Sequence, residues 1–110
     1  MTPTFAAVDV GTNSVKLHVG ERQDDGGWRT VVDRSEITRL GEGLEATGRL
    51  NPEPTARTAK AIAAMAEEAR AEGAVEIAAV GTAGMRIASN SAEFIDVVRE
   101  HSGVQIEVIR

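Results

Sequence analysis

The sequence contains no cysteine and no tyrosine, and its 3% of aromatic residues consists of Phe5, Trp28 and Phe94. The absence of cysteine excludes disulfide bonds and thiolate-bound metal centres, and it is compatible with a cytoplasmic setting. Because aromatic side chains are so few, a buried core has to be built from valine, isoleucine, leucine and alanine. At 110 residues, the chain fits one small domain.

Basic runs and long apolar runs are also missing. The formal net charge is −5, and no cluster of lysine and arginine is interleaved with aromatic residues, so we do not expect nucleic acid as a partner. No apolar stretch approaches the length that spans a membrane, and the first residues lack the basic and apolar regions of a signal peptide. We therefore expect a cytoplasmic protein without a membrane partner.

Hydrophobic patterning divides the chain into seven main segments. Apolar runs and alternations predict strands over residues 4–10, 14–20, 28–38, 75–81 and 104–109. Helical spacing predicts a helix between Asn51 and Gly73 and another between Asn90 and Gly103, with an asparagine cap at each start and a glycine at each end. Asn90 and Glu93 have the spacing of a capping box.

The resulting order, β-β-β-α-β-α-β, predicts an α/β fold with a mixed five-stranded sheet in the strand order 3-2-1-4-5. Both crossover connections run in the same direction, so the right-handed crossover rule places both helices on one face. Strands 1 and 4 contain apolar residues at both alternating positions, which is typical of strands covered on two sides. We therefore expect further structure over the second face, and a chain that forms the first part of a larger domain.

The most informative stretch connects the first two predicted strands. It begins with Asp9 and continues with Gly11, Thr12, Asn13 and Ser14. Glycine allows a ligand to approach the backbone closely, and small polar residues offer free amides that suit phosphate oxygens. Asp9 is placed to hold a divalent cation or to orient a water molecule. The alternative is an ordinary hairpin turn with a neighbouring carboxylate, because the same residues are good turn formers.

A second polar loop follows strand 4. It contains Thr82, the amides around Ala83 and Gly84, and Arg86, whose planar guanidinium suits phosphate. Ligands of open α/β sheets bind at the carboxyl ends of the strands, which is where both loops lie. Taken alone, Arg86 is better explained as a surface or ion-paired residue, and the phosphate interpretation becomes equally good only when Arg86 is placed beside the Asp9 loop.

A third loop, residues 39–50, contains three glycines. It is either a flexible connection or a cover over a site, and we favour the flexible connection because glycine-rich loops are weak evidence.

Several short segments together resemble one known family, the exopolyphosphatase / guanosine pentaphosphate phosphohydrolase family. They follow the family's order and spacing over essentially the whole chain, and they are Ala7–Ser14, Leu40–Leu44, Val80–Arg86, Glu93–Ile95 and Ile106–Ile109. Two positions depart from the family pattern, Gly84 and Ile87, and we expect them to make the second loop more mobile.

The resemblance implies an actin-like ATPase (ribonuclease H-like) subdomain. It also implies hydrolysis of phosphoanhydride bonds in polyphosphate or guanosine pentaphosphate, with Mg²⁺, by a longer protein that is a homodimer. Asp9, Gly11, Thr12, Asn13 and Ser14 would form the first phosphate-binding loop, with Asp9 supporting catalysis and as a possible metal ligand. Thr82 and Arg86 would form a second contact.

By the same resemblance, residues 1–110 would be the amino-terminal part of the domain. The family's catalytic glutamate would then lie beyond Arg110, and the fragment alone would be inactive. Two other functions remain open: a non-catalytic phosphate or nucleotide sensor of the same fold, and another actin-like protein such as a small-molecule kinase.

Overall fold

The computed structural model describes residues 3–109, and within them no helix combines the length and the apolar character needed to cross a membrane. The elements follow in the order β1 (Thr4–Val10), β2 (Ser14–Arg22), β3 (Trp28–Ile37), α1 (Leu44–Thr47), α2 (Pro52–Ala71), β4 (Ala74–Gly81), α3 (Ala83–Ile87), α4 (Ser91–Ser102) and β5 (Ile106–Val108). All predicted strands and both long helices are present, although β5 is shorter than predicted. The short helices α1 and α3 were not predicted, because four or five residues are too few to show a helical repeat.

The sheet has the predicted strand order, β3-β2-β1-β4-β5. The central strand, β1, pairs antiparallel with β2 and parallel with β4. The outer pairs are β2 with β3, antiparallel, and β4 with β5, parallel. Strands β1, β3, β4 and β5 therefore end, and β2 begins, at one end of the sheet, which we call the carboxyl end.

The helices α2 and α4 pack against each other and against one face of the sheet, as the crossover rule predicts. Alternate residues of β1 and β2 point to this face and are at most 5% exposed: Ala6, Val8, Val10, Val15, Leu17 and Val19. The helices contribute Ile62, Met65, Phe94 and Val98, each at most 2% exposed. Full burial of one such side chain contributes about 1.5–3 kcal/mol to folding.

The second face of the sheet carries no helix within residues 3–109 and is more polar than predicted. On this face Phe5 and Val80 are half-buried and Ala7 is exposed. The exposed charged residues Asp9 and Lys16 lie beside them on the same face. The two-sided apolar character that we predicted for β1 and β4 is therefore observed only in part.

Both predicted capping asparagines precede their helices, but neither side chain caps its helix. The Asn90 side chain instead binds the backbone of Leu50, accepting from its N–H at 2.7 Å and donating to its C=O at 2.9 Å. Asn51 Nδ2 donates to the Glu42 carbonyl at 2.9 Å. The predicted capping box of Asn90 and Glu93 is therefore absent, because the Asn90 side chain is bonded to Leu50. Both asparagine side chains hold the segment before α2 in place.

Candidate functional site

The loop between β1 and β2 begins with a tight backbone approach at Gly11. Its N–H donates to the Ser14 carbonyl at 3.0 Å, and a Cβ atom on Gly11 would lie 3.0 Å from the same oxygen. Among the described residues, Gly11 is not one of the glycines with positive φ. Glycine at this position is therefore explained by the close approach of the Ser14 oxygen and not by a left-handed backbone, and close approach of a ligand stays a prediction.

The backbone carbonyl groups at the tip of this loop accept hydrogen bonds from the segment that follows β3. Thr12 C=O accepts from Gly41 N–H at 2.9 Å, and Asn13 C=O accepts from the N–H groups of Thr38 and Arg39 at 3.1 and 2.9 Å. Within residues 3–109, the N–H groups of Thr12 and Asn13 donate to no protein acceptor. The tip therefore presents positive backbone dipoles whose negative partners are already paired, an arrangement suited to anions.

Two glycines from different loops enclose the side chain of Thr12. A Cβ atom on Gly41 would lie 3.2 Å from Thr12 Cβ, and one on Gly84 would overlap the Thr12 Cγ2 methyl group. Three loops thus meet at Thr12: a Cβ atom at position 84 would require the Thr12 side chain to move, and one at position 41 would require a shift of a few tenths of an ångström. Gly84, which we expected to make the second loop mobile, is instead required by this close packing.

The loop of residues 39–50 was predicted as a flexible connection, and this prediction is wrong. The N–H groups of Arg39 and Gly41 bind the carbonyls of Asn13 and Thr12, and the short helix α1 and the Asn51 side chain order the rest of the loop. Glycine spacing in the sequence carried no signal of this contact, because Gly41 lies 29 positions from Thr12 and reaches it only through the pairing of β2 with β3.

Asp9 lies one residue before the end of β1, with its side chain on the uncovered face. It is directly opposite Lys16 on β2, a neighbour that the sequence reasoning missed, although strand alternation could have indicated it. Both residues line a shallow depression of about 310 Å³ that also includes His18 and Asp33. Asp9 therefore borders the first loop without belonging to its tip.

Thr82 and Arg86 lie at the same end of the sheet, as predicted. Thr82 N–H donates to the Val10 carbonyl at 3.3 Å, so the second loop is joined to the end of β1. The exposed Arg86 donates through Nη1 to the Ile109 carbonyl at 3.2 Å. Among the described residues no carboxylate pairs with Arg86, and no hydrogen bond links it to the first loop.

The model of the Ppx/GppA phosphatase family matches residues 19–110. The chain belongs to this family. Two curated relatives are "Exopolyphosphatase 2" of Mycobacterium tuberculosis, 35% identical over 92% of this chain, and "Guanosine-5'-triphosphate,3'-diphosphate pyrophosphatase" of Vibrio cholerae, 33% identical over 98% of it. The crystal structure of the Aquifex aeolicus Ppx/GppA family member superposes on 99% of this chain with a TM-score of 0.94 at 28% identity. The fold is thus that of the family, an actin-like ATPase subdomain.

These Ppx/GppA proteins are longer than this chain. The chain spans 33% of the M. tuberculosis relative, 22% of the V. cholerae relative and 35% of the A. aeolicus structure. The family model begins at residue 19, after the Asp9–Ser14 stretch. For that stretch, the geometry described above is therefore the main evidence of a site.

The described residues offer little to a metal ion by themselves. Within residues 3–109, no group of three or more His, Cys, Asp and Glu side chains is arranged to hold one. Mg²⁺, however, commonly keeps several waters and is bound by one or two carboxylates together with substrate phosphates. The single carboxylate of Asp9, beside the first loop, is suited to a Mg²⁺ ion that is also bound by substrate phosphates. It is not sufficient for a metal site made of protein ligands alone.

Proposed function

We propose that this chain is the phosphate-binding subdomain of a hydrolase that cleaves phosphoanhydride bonds in inorganic polyphosphate, guanosine pentaphosphate or both. The family relatives support this reaction class, since one is named an exopolyphosphatase and another a pyrophosphatase of a guanosine polyphosphate. Both named substrates present terminal phosphates joined by anhydride bonds, so one phosphate-binding loop serves either.

The N–H groups of Thr12 and Asn13, which donate to no acceptor within residues 3–109, are the observation that carries this proposal. A turn that only reversed the chain would not need its carbonyls held by Thr38, Arg39 and Gly41 while its amides lack acceptors in the described part of the chain. Backbone amides with paired carbonyls stabilise negative charge without reorganising during the reaction. The loop can thus bind the charged phosphoryl oxygens both before and during bond cleavage.

The reaction would be attack of water on a terminal phosphorus atom. A new bond forms between the water oxygen and phosphorus, the bridging P–O bond breaks, and the shortened chain leaves with the bridging oxygen. Arg86 and the loop amides would stabilise the phosphoryl charge, and Asp9 would orient the water. The proton would pass to the glutamate that the family resemblance places beyond Arg110. Mg²⁺, when bound by Asp9 and the phosphates, neutralises charge on the phosphoryl oxygens.

The proposal includes the setting of the protein. Residues 1–110 would be the amino-terminal part of a longer, homodimeric cytoplasmic protein that contacts neither nucleic acid nor membranes. The net charge of −5 and the absence of cysteine support the cytoplasmic setting and the absence of nucleic acid. The homodimer follows from the family resemblance alone.

Nuclear magnetic resonance of the ¹⁵N-labelled 110-residue chain, titrated with inorganic tripolyphosphate, tests the loop directly. We expect the amide signals of Thr12 and Asn13 to shift strongly. The amide of Gly26 is the internal control, because it lies in the β2–β3 turn and donates to Gln23. Absent shifts at Thr12 and Asn13, or equal shifts at Gly26, would refute the phosphate-binding loop.

The same titration separates the other two functions. A sensor selective for nucleotides would respond to guanosine polyphosphates but not to inorganic tripolyphosphate. A non-catalytic phosphate sensor would respond to tripolyphosphate as the hydrolase does, and it is distinguished by the absence of phosphate release from the longer protein. A small-molecule kinase would respond to ATP more strongly than to either. The relatives named above are hydrolases, so we expect the amide signals to shift with inorganic tripolyphosphate.

A further inference from the structure

Arg39 has an unusual backbone conformation. With φ of 53°, it is the one non-glycine residue among those described that has a positive φ. Its neighbours Thr38 and Leu40 are buried, at 3% and 0% exposure, so the conformation is fixed from both sides. A residue with a Cβ atom adopts this region at a cost in free energy that glycine avoids.

Hydrogen bonding explains the backbone conformation but not the choice of arginine. The Arg39 N–H donates to Asn13 C=O and its own C=O accepts from Glu42 N–H, both at 2.9 Å. The kink turns the chain from the end of β3 so that Gly41 reaches Thr12. Glycine would make the same turn with less strain, so the arginine side chain needs a separate reason.

The guanidinium of Arg39 has no partner in the described part of the chain, where it makes no hydrogen bond and no ion pair. Within residues 3–109, Arg22 is the other arginine whose guanidinium makes no hydrogen bond or ion pair. It lies at the opposite end of the sheet, at the end of β2. The remaining arginines there bind a carboxylate or a carbonyl: Arg29, Arg34, Arg49, Arg57, Arg70, Arg86 and Arg99. The nearby Glu42 is already paired with Arg57 at 3.3 Å.

Arg39 and Arg86 lie on opposite sides of the first loop. Arg39 follows β3 and binds Asn13, whereas Arg86 binds the end of β5 through Ile109. Neighbouring strands are about 4.8 Å apart, so the outer strands β3 and β5 are separated by roughly 19 Å. A single phosphate group does not span this width, but a linear chain of phosphates that crosses the carboxyl end does.

We propose that Arg39 is an outer subsite for linear polyphosphate, binding phosphate units beyond those held by the first loop and making affinity increase with chain length. This inference rests on the proposed function, because it assumes that the Thr12 and Asn13 amides bind the first phosphates. Guanidinium binds phosphate through paired N–H donors, and a fixed backbone lowers the entropy lost on binding. The fixed backbone at Arg39 thus places this arginine beside Asn13, next to the loop from which the polyanion would extend.

The test compares two inorganic ligands, tripolyphosphate and a long-chain polyphosphate, by calorimetric titration of the 110-residue chain at constant ionic strength. For Arg39→Gly we expect roughly 10-fold weaker binding of the long chain and a change of less than about twofold for tripolyphosphate. The melting temperature should stay equal or rise, because glycine relieves the strained φ. Arg39→Lys should restore part of the long-chain affinity, since lysine keeps the charge but not the paired donors.

Arg22→Gly is the matched control, because Arg22 is exposed, lies at the far end of the sheet, and has a guanidinium without a partner among residues 3–109. Equal weakening by Arg22→Gly and Arg39→Gly would mean general charge attraction and would overturn the subsite. Equal loss for both ligands in Arg39→Gly, or no loss for either, would overturn the chain-length dependence. If the Thr12 and Asn13 amides of the unmodified chain do not shift with tripolyphosphate, the proposed function fails as well; if they shift and Arg39→Gly changes nothing, only the subsite fails.

Discussion

The two ends of the sheet use glycine for close packing in different ways. At the carboxyl end, Gly41 and Gly84 enclose Thr12, and backbone amides beside it remain without partners in the described chain. At the opposite end, Gly20 makes room for the indole ring of Trp28, which also stacks on Phe5 with ring centroids 6.2 Å apart.

The aromatic cluster at the opposite end, formed by Phe5, His18 and Trp28, satisfies its own polar groups. Trp28 Nε1–H donates to His18 Nε2 at 3.2 Å, and the two rings are stacked at 6.5 Å. No comparable internal partner meets the N–H groups of Thr12 and Asn13 in residues 3–109. Close packing is therefore accompanied by an internal hydrogen bond at one end of the sheet, whereas at the other end the N–H groups of Thr12 and Asn13 have no acceptor within residues 3–109.

The largest expected effect separates binding from turnover at the carboxyl end. The 110-residue chain should bind tripolyphosphate but release essentially no phosphate from polyphosphate, with or without Mg²⁺. Loss of a general base typically lowers rates about 10²–10⁴-fold, and the missing part of the cleft lowers them further. A phosphate-release assay with the M. tuberculosis relative as positive control measures this. Release by the chain at a rate near that of the relative would contradict the prediction.

Packing around Thr12 should show the next largest effect. Gly84→Ala introduces a Cβ that overlaps Thr12 Cγ2, and it should lower the unfolding free energy by about 1–3 kcal/mol as an overpacked site. Thr12→Ser removes that methyl group, so the double variant should recover most of the loss. Denaturant unfolding of all four proteins measures the coupling. Additive effects in the double variant would show that Gly84 and Thr12 do not compete for space.

Arg86 should matter for anion binding and not for stability. Arg86→Ala should weaken tripolyphosphate binding roughly 10-fold, whereas Arg99→Ala should change it by less than about twofold. Arg99 is a suitable control because it is exposed and makes a single local ion pair with Asp96. Arg70 would be a poorer control, because Arg70 Nη2 donates to the Ser102 carbonyl at 2.7 Å and so joins α2 to the end of α4. Equal, negligible changes in both variants would remove Arg86 from the site.

The smallest expected effect tests the opposite end. Gly20→Ala should push Trp28 away from the sheet and lower the unfolding free energy by about 1 kcal/mol, the typical contribution of an aromatic pair. The tryptophan fluorescence should shift to longer wavelength, because the displaced indole ring becomes more exposed to water. Trp28 is the sole tryptophan of the sequence, so this signal reports on Trp28 alone. Binding of tripolyphosphate should stay unchanged. A loss of binding would show that the two ends of the sheet are coupled, and it would contradict their independent roles.

The sequence by itself determined much of the architecture. The apolar run of β1, the alternation of β2 and the helical spacing of α2 and α4 are local patterns. With the crossover rule they led to the observed strand order and to helices on one face. Gly73 and Gly103 end the two helices with positive φ, as predicted, because a left-handed cap is a local requirement. The motifs from Ala7 to Ile109 likewise indicated the family to which the chain belongs.

Only the tertiary structure decided how the loops meet. The Asn90 side chain binds Leu50 rather than its own helix, and Arg39 takes a positive φ because its amide reaches Asn13. Gly84 is needed because Thr12 occupies the space of its missing side chain. Each of these contacts joins residues between 26 and 72 positions apart, and a local sequence window contains only one partner of each pair. Hydrogen bonds and close contacts between distant segments form only after the sheet has brought those segments together.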